Sequence, residues 1–174
     1  MFGDIAGAKK EAEQFLADFD QKAKAARKKI DKVIDKNATF GIYENTDKGK
    51  FWVFNDNGGR GGQAVYNALG LKAPEKIEKD VINTGEMKEL SLEVVPEYAA
   101  DYMFVTDYSP NGDSKTLDKL KASAVWKNLD AVKNNRVFIN DFDTFYPYDP
   151  ISVSKQVDLI TDMLVKREKE NQKK

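Results

Sequence analysis

Cysteine and histidine are both absent from this chain of 174 residues. Without them the chain cannot build a disulfide, a thiolate nucleophile, a Cys/His metal site or a histidine-based catalytic triad. Any iron or zinc that it handles must therefore arrive wrapped in another ligand or be held by carboxylates alone. The acidic residues show no spacing that marks a catalytic pair, so we expect no enzymatic activity.

Long apolar runs and a charge of one sign are missing as well. No stretch is apolar enough to cross a bilayer, and the start at Met1–Asp4 has neither the basic nor the apolar region of a signal peptide. The formal net charge is −1, which argues against nucleic acid as a partner. Hydrophobic residues make up 41% of the chain, enough for the core of one domain or of one domain with an appendage.

A charged, alanine-rich segment opens the chain. Between Asp4 and Lys36 apolar residues recur every three or four positions, which predicts one long amphipathic helix. The apolar stripe comprises Ile5, Ala8, Ala12, Phe15, Leu16, Phe19, Ala23, Ala26, Ile30 and Val33. We interpret this segment as a helix packed by one face on a domain, with a coiled-coil dimer as the alternative. The chain would then divide into a helix at 1–36 and an α/β domain at 37–174.

Strand-like and helix-like segments alternate along the rest of the chain. The predicted strands are Thr39–Tyr43, Lys50–Phe54, Tyr102–Thr106 and Arg136–Ile139. Helices are predicted near 64–69, 91–98, 117–120 and 125–132, and from Pro150 into a tail that frays over 166–174, with turns at 44–49 and 109–113 and a polar connection at 74–85. This alternation predicts an α/β fold in which helices flank a central, mostly parallel sheet.

The segment Asn57–Gly62 places one arginine, Arg60, among four glycines. Glycines allow tight turns and close approach to a ligand, and a cation at a helix N-terminus suits an oxygen-rich anionic group. The other interpretation is that Arg60 caps a carbonyl or pairs with a surface carboxylate. Residues 59–64 also fit the dinucleotide pattern G-x-G-x-x-A, although no ribose-binding acid follows, so a nucleotide-binding enzyme domain is a rival interpretation.

Ligands of such folds meet the loops that leave the carboxyl ends of the strands, here 55–62, 107–114 and 140–149. The third loop concentrates aromatic residues, which form either a wall for a ligand or a satellite core: Phe142, Phe145, Tyr146 and Tyr148. In the same loop we expect Asp149 to cap the last helix, and Asp141 and Asp143 to be solvated.

The strand before the glycine loop carries aromatic residues on both faces. Trp52 and Phe54 share one face, while Phe51 and Val53 share the other. Alternation alone leaves open which pair meets a ligand.

Several motifs, in order along the chain, resemble the C-terminal part of ferric-siderophore substrate-binding proteins. These proteins are receptors of iron ABC importers and have two lobes joined by one long helix. The motifs are Phe2-Gly3-Asp4-Ile5-Ala6-Gly7 with Glu11-Ala12 and Phe15-Leu16, Ser91-Leu92-Glu93 with Ala100–Val105, Val125–Leu129 with Ala131–Val137, and Asp149–Ser152. Within that family, Gly59–Gly62 followed by Val65-Tyr66 is similar to the hydroxamate receptors of Gram-positive bacteria, the ferrichrome and ferrioxamine group.

The resemblance implies roles for particular residues. Arg60 would donate hydrogen bonds to the iron-bound hydroxamate oxygens, with Trp52 and Tyr146 lining the cleft. Phe145 and Tyr148 are expected beside them, and Gly58 stands where relatives carry a tryptophan against the ligand.

A further role concerns the membrane partner. The resemblance implies that Glu93 pairs with an arginine of the permease, and the alternative is an ordinary exposed acid on a helix.

The resemblance also implies a ligand and a location. Iron(III) would be carried inside the siderophore, so no cofactor is expected. One arginine among Asp107, Asp141 and Asp143 suits a neutral or cationic hydroxamate complex better than a trianionic catecholate, although a catecholate or haem receptor would share the fold.

The full-length relative would lie on the extracellular face of the membrane as a lipoprotein. The N-terminal lobe, the signal peptide and the lipidated cysteine of such a receptor are not found in this sequence. We therefore expect a truncated or processed piece that binds weakly without its other lobe.

Overall fold

The computed structural model describes residues 9–109 and 114–173. Its centre is a five-stranded sheet in the order β3-β2-β1-β4-β5. The strands are β1 (Phe40–Thr46), β2 (Phe51–Val53), β3 (Lys88–Leu90), β4 (Tyr102–Tyr108) and β5 (Val137–Asp141). Strands β1, β4 and β5 are parallel neighbours, whereas β2 is antiparallel to both β1 and β3. Four strands therefore share one direction, and the predicted α/β class with a mostly parallel sheet is confirmed.

Helices cover both faces of this sheet. They are α1 (Lys9–Ile30), the π-helix π1 (Gln63–Ala68), α2 (Glu75–Ile77) with its π-helical continuation Glu78–Ile82, a 3₁₀ helix (Val95–Tyr98), α3 (Lys115–Ala122), α4 (Ala124–Asn128), α5 (Asp130–Lys133), α6 (Phe142–Phe145) and α7 (Pro150–Asn171).

Alternation along each strand creates two cores. Phe40 and Ile42 of β1 point to the face covered by α1, π1 and α7, which we call the α1 face. Tyr43 points to the other face, where it packs with residues of α2 to α5 such as Trp126. The period of two thus divides the buried side chains of each strand between two layers of helices.

Helix α1 is shorter than predicted. It ends at Ile30, and the chain then turns, with the amides of Val33 and Ile34 bonded to the Ile30 carbonyl. Ala23, Ala26 and Ile30 are buried, so the C-terminal half of the helix packs on the domain as interpreted. The N-terminal half is more open, and Leu16 is 61% exposed. The predicted start at residues 4–8 lies outside the described residues.

The structure corrects four segments in the first half of the domain. Strand β1 continues through Thr46 instead of turning at Glu44, because it pairs with β4 along its whole length. The polar connection at 74–85 is largely helical. Strand β3 was not predicted, because its residues are mostly polar. The helix expected at 91–98 is only a 3₁₀ turn from Val95.

Two further corrections concern the end of the chain. The loop expected at 140–148 is partly regular, because β5 extends to Asp141 and α6 follows at once. Helix α7 does not fray at residue 166, since Arg167 donates to the Asn135 carbonyl (2.6 Å) and holds the last turns on the domain. Asp149 caps α7 as predicted, accepting the amides of Ile151 and Ser152 at 3.0 Å each. In the predicted turn at 109–113, residues 110–113 lie outside the described parts.

Candidate functional site

The glycine-rich segment 55–62 reaches the aromatic loop by an unexpected route. Because β2 is antiparallel to β1, this segment leaves the sheet at the end opposite to the loops after β4 and β5. It nevertheless packs on the third loop, since a Cβ added to Gly59 would lie 2.5 Å from the carbonyl oxygen of Tyr146. The first and third loops are therefore neighbours, although not for the reason predicted.

This topology also decides the nucleotide interpretation. A dinucleotide fingerprint needs a parallel βαβ unit whose first turn carries the glycines. Here the strand before the glycines is antiparallel, and the helix after them is a six-residue π-helix. The pattern at 59–64 is therefore not a dinucleotide fingerprint.

Arg60 has an uncommon backbone conformation. Its φ is 56°, between Gly59 at 71° and Gly61 at 90°. Three successive residues with positive φ turn the chain sharply, and a non-glycine residue in this region is often found at functional sites. The turn carries the Arg60 side chain back over the α1 face of the sheet.

There Arg60 forms a mostly buried ion pair. Its Nε donates a hydrogen bond to Oε2 of Glu44 (2.8 Å), and its Nη1 donates to the Gly58 carbonyl (3.0 Å). The side chains of Arg60 and Glu44 are only 16% and 7% exposed. Arg60 therefore does bond to a carbonyl and pair with a carboxylate, as the second interpretation had it. The carboxylate, however, is buried and does not lie on the surface as that interpretation expected.

Aromatic rings enclose the guanidinium. Its Cζ lies 4.4 Å from the ring centroid of Phe54, 4.8 Å from that of Tyr146 and 5.6 Å from that of Phe142. The rings of Phe142 and Tyr146 stack at 4.6 Å. Such distances permit cation–π attraction, which strengthens where water is excluded. Tyr146 is 44% exposed, so this aromatic box opens to solvent on its side.

The other predicted ligand residues are divided between surface and core. Tyr148 is 62% exposed and Trp52 is partly buried against the α1-face core, on the same side as Phe54. The pair Trp52 and Phe54 therefore faces the Arg60 site, and Phe51 and Val53 belong to the other core. Phe145 is buried in the α1-face core, where it supports the loop instead of facing solvent.

Gly58 and Glu93 occupy different places. A Cβ on Gly58 would lie 2.7 Å from Cδ1 of Phe54, so a larger residue would require this ring to move. Glu93 is exposed in the turn after β3, which is an edge strand of the sheet. The structure thus places Gly58 beside Arg60 and keeps Glu93 apart from it.

Glu44 belongs to a row of buried polar residues. On adjacent strands, in register and on the α1 face, Glu44 lies opposite Thr106, and Thr106 lies opposite Asn140. All three residues are buried, and neither Thr106 Oγ1 nor the side-chain atoms of Asn140 have a hydrogen-bond partner among the described residues. Buried polar atoms are rarely left without a hydrogen-bond partner. This row of polar side chains on the sheet, next to Arg60, is therefore unusual.

Sequence reasoning missed Glu44 because it was assigned to a turn. One available signal was the alternation Phe40, Ile42, Glu44, which puts the carboxylate on the same face as two core residues.

The acidic residues around the third loop have structural roles. Asp107 accepts hydrogen bonds from Asn45, Ser109 and Ser114, and Asp141, expected to be only solvated, caps α6 by accepting the Thr144 amide. A cavity of about 620 Å³ lies beside them. In the described parts of the chain, no cluster of three acidic residues could hold a metal ion.

Gln156 of α7 holds the aromatic loop in place. Its Nε2 donates to the carbonyls of Thr144 (3.0 Å) and Pro147 (2.8 Å) and lies 3.5 Å from that of Phe145. Gln156 is buried, so this contact links the last helix directly to the backbone that presents Tyr146 and Tyr148.

Comparisons with known proteins agree with this fold. A family model described as periplasmic binding protein matches residues 1–144. The iron(3+)-hydroxamate-binding protein YxeB of Bacillus subtilis strain 168 is 80% identical over 173 residues, which cover 99% of this chain and 54% of that protein. The iron(3+)-hydroxamate-binding protein FhuD of the same strain is 37% identical over 166 residues, covering 95% of this chain and 51% of that protein. The chain thus spans about half the length of the curated relatives it matches.

A solved structure gives the same picture. FhuD2 from Staphylococcus aureus with bound ferrioxamine B superposes with a TM-score of 0.84 at 27% identity, covering 97% of this chain and 63% of that one. The resemblance to siderophore-binding proteins that the motifs indicated is therefore confirmed. Over residues 9–109 and 114–173, no helix is both long and apolar enough to span a membrane.

Proposed function

Because the chain belongs to the periplasmic binding protein family, we propose that it binds a ferric hydroxamate siderophore and delivers it to an ABC permease for iron uptake. Two relatives are named as iron(3+)-hydroxamate-binding proteins, and a similar structure holds ferrioxamine B. These names describe proteins about twice as long as this chain, so the ligand is carried over here as a proposal.

The observation that carries this proposal is the way Arg60 is held. Glu44 and the Gly58 carbonyl engage Nε and Nη1, and no hydrogen bond of Nη2 is found within the described residues. An arginine whose orientation is set on one side offers its remaining N–H groups in a defined direction. Hydroxamate oxygens bound to iron are suitable acceptors for them.

The surrounding rings supply the apolar part of the site. Tyr146 and Tyr148 are exposed, and Trp52 is partly so, so these three residues can contact the carbon chains of a siderophore. Phe145 contributes indirectly by packing against Gly61 from the core. Few polar groups within an aromatic lining are typical of small-molecule sites.

A fully chelated iron requires no protein ligands. The chain has no cysteine or histidine, and a siderophore that saturates the coordination of Fe³⁺ makes both unnecessary. We accordingly propose a binding role without catalysis and without a resident cofactor.

The proposal extends to partners and location. We propose that a second lobe supplies the opposite wall of the cleft, that the full-length protein is a lipoprotein on the extracellular face of the membrane, and that Glu93 docks on the permease.

Iron uptake by cells carrying Glu93→Lys should fall while siderophore binding is unchanged. Normal uptake would refute the docking role, and Glu86→Lys, also exposed, is the matched control.

Arg60→Ala in the two-lobed protein tests the ligand site. A hydrogen bond to a charged group contributes about 1.5–3 kcal/mol, so the affinity for ferrioxamine B or ferrichrome should fall about 10- to 150-fold. Lys50→Ala removes an exposed cation that pairs with Glu89 and should have no effect. Unchanged affinity of Arg60→Ala would rule out this anchor, and tighter binding of a ferric catecholate or haem by the wild type would favour those ligands instead.

A second measurement concerns the chain of 174 residues without its other lobe. With one wall of the cleft missing, isothermal titration should give a clearly weaker affinity than that of the two-lobed protein. Equal affinities would contradict the division of the site between two lobes.

A further inference from the structure

We infer that Glu44 determines which ferric complexes the site accepts according to their net charge. Its carboxylate, on strand β1 of the sheet, neutralises the positive charge of Arg60. This inference rests on the proposed function, and it assigns to Glu44 a selectivity against anionic complexes. Arg60 alone would attract any anion that fits. With Glu44 at 2.8 Å, the pair as a whole carries no net charge.

Burial strengthens the electrostatic effect of the Glu44 carboxylate on a ligand. The side chain of Glu44 is 7% exposed and that of Arg60 is 16% exposed, so little water screens either charge. Electrostatic interactions at partly desolvated positions are much stronger than those between exposed groups. An anionic ligand that approaches Arg60 therefore also approaches a poorly screened negative charge.

No second cation offsets Glu44. Among the described residues its sole basic partner is Arg60, and its neighbours in the same row are the neutral Thr106 and Asn140. The rings of Phe54 and Tyr146, which lie near the guanidinium, carry no charge that would stabilise an anion. A neutral tris-hydroxamate core meets no such repulsion, and a cationic complex is also tolerated.

The rival role for Glu44 is purely positional, with the carboxylate acting only to aim the guanidinium. Glu44→Gln separates the two roles, because the amide oxygen still accepts the Nε hydrogen while the negative charge is removed. A positional role would change the affinities for neutral and anionic complexes by the same factor. A charge role changes their ratio.

The chain offers a matched control in the same row of the sheet. Glu89 of β3 lies opposite Trp52, which in turn lies opposite Glu44. Glu89 also pairs with a cation at 2.8 Å, Lys50, but its side chain is 42% exposed. Glu89→Gln therefore also removes one negative charge from this row, but at an exposed position where water screens the charge.

The experiment measures dissociation constants of the two-lobed protein for ferrichrome, which is neutral, and for a trianionic ferric tris-catecholate. In Glu44→Gln the affinity for the catecholate relative to ferrichrome should rise about tenfold or more, and in Glu89→Gln it should stay within about twofold. Glu44→Met, which has a similar volume and also removes the negative charge, should raise the ratio in the same direction and serves if Glu44→Gln does not fold.

An unchanged ratio in Glu44→Gln, or in Glu44→Met if that variant is the one that folds, would overturn the role of Glu44 while leaving the ligand assignment intact. Failure of the wild type to bind ferrichrome at all would instead refute the proposed function.

Discussion

At the scale of single residues, the site depends on a short run of unusual backbone. Gly59 is buried, has φ = 71°, and lies directly under the carbonyl of Tyr146. Arg60 follows at φ = 56° and from there reaches Glu44. The conformation of two neighbouring residues thus joins the glycine segment to the aromatic loop and fixes the direction of the arginine.

Replacing Gly59 by alanine tests this close approach. A positive φ costs an L-residue about 1–2 kcal/mol, and a methyl group forced against backbone adds about 1–3 kcal/mol. We expect the free energy of unfolding of Gly59→Ala to fall by about 2–5 kcal/mol, measured by urea denaturation followed by circular dichroism.

Gly85→Ala is the control for this prediction. Gly85 has nearly the same φ, 73°, but nothing lies within 4 Å of an added Cβ. Only the conformational cost should appear in this variant. Equal destabilisation of the two variants would show that the contact with Tyr146 is unimportant.

At the scale of elements, α7 organises the third loop from behind. Asp149 caps its first turn, and Gln156, two turns further along, reaches the carbonyls of residues 144–147. The loop therefore takes its shape from a helix that follows it in sequence. Tyr146 and Tyr148 are presented by a backbone that is bonded to the domain, although their own side chains are exposed.

Gln156→Met should loosen this loop. Methionine has a similar volume and no donor, so buried carbonyls lose their partner at a cost of about 1–3 kcal/mol in the free energy of unfolding. Hydrogen exchange of the amides of residues 144–149 should become faster, and affinity for ferrioxamine B should fall. Lys155→Met, at the exposed neighbouring position, should leave all three measurements unchanged, and wild-type exchange in Gln156→Met would refute the role.

At the scale of the whole molecule, tyrosines are buried in both layers of the fold. Burial raises the pKa of Tyr43, whose hydroxyl donates to the Tyr98 carbonyl (2.6 Å) on the face away from α1. Burial also raises the pKa values of Tyr66 and Tyr102 on the α1 face. With no histidine or cysteine in the chain, these phenols are the buried groups that we expect to make stability depend on alkaline pH.

We therefore expect stability to be level near neutral pH and to fall in alkali. An unfolded tyrosine loses its proton near pH 10, whereas the folded chain retains it because the folded pKa of Tyr43 is raised. This contribution is fully present below about pH 10 and is lost as the pH rises further. Urea titrations at several pH values between about 6 and 11 would measure it.

Two variants sharpen this test. Tyr43→Phe should make the alkaline decline less steep, since one buried phenol is removed. Tyr148→Phe removes an exposed phenol and should leave the slope as in the wild type. A decline that is identical in all three proteins would assign the alkaline loss to other groups.

Local sequence patterns were enough to predict much of this structure. Alternating strands and helices predicted the fold class, Asp149-Pro150 predicted the start of α7, and motifs spread along the chain indicated the family. The same patterns drew attention to Arg60, Trp52 and Tyr146. Each of these inferences depends on residues close together in sequence, or on a direct match of motifs, and neither requires knowledge of how the strands pair.

What depends on strand pairing and packing emerged only from the tertiary structure. Three features belong to this group: the antiparallel direction of β2, the burial of Phe145 and the ion pair between Arg60 and Glu44. Each depends on how strands and loops pack together and not on the local residue pattern alone. A carboxylate followed by a polar turn has the pattern of a solvated surface, and the pairing of β1 with β4 through Thr46 is what extends the alternation of Phe40 and Ile42 to Glu44. The physical reason is that burial, and with it the strength of a charge, is set by neighbours that the local sequence does not contain.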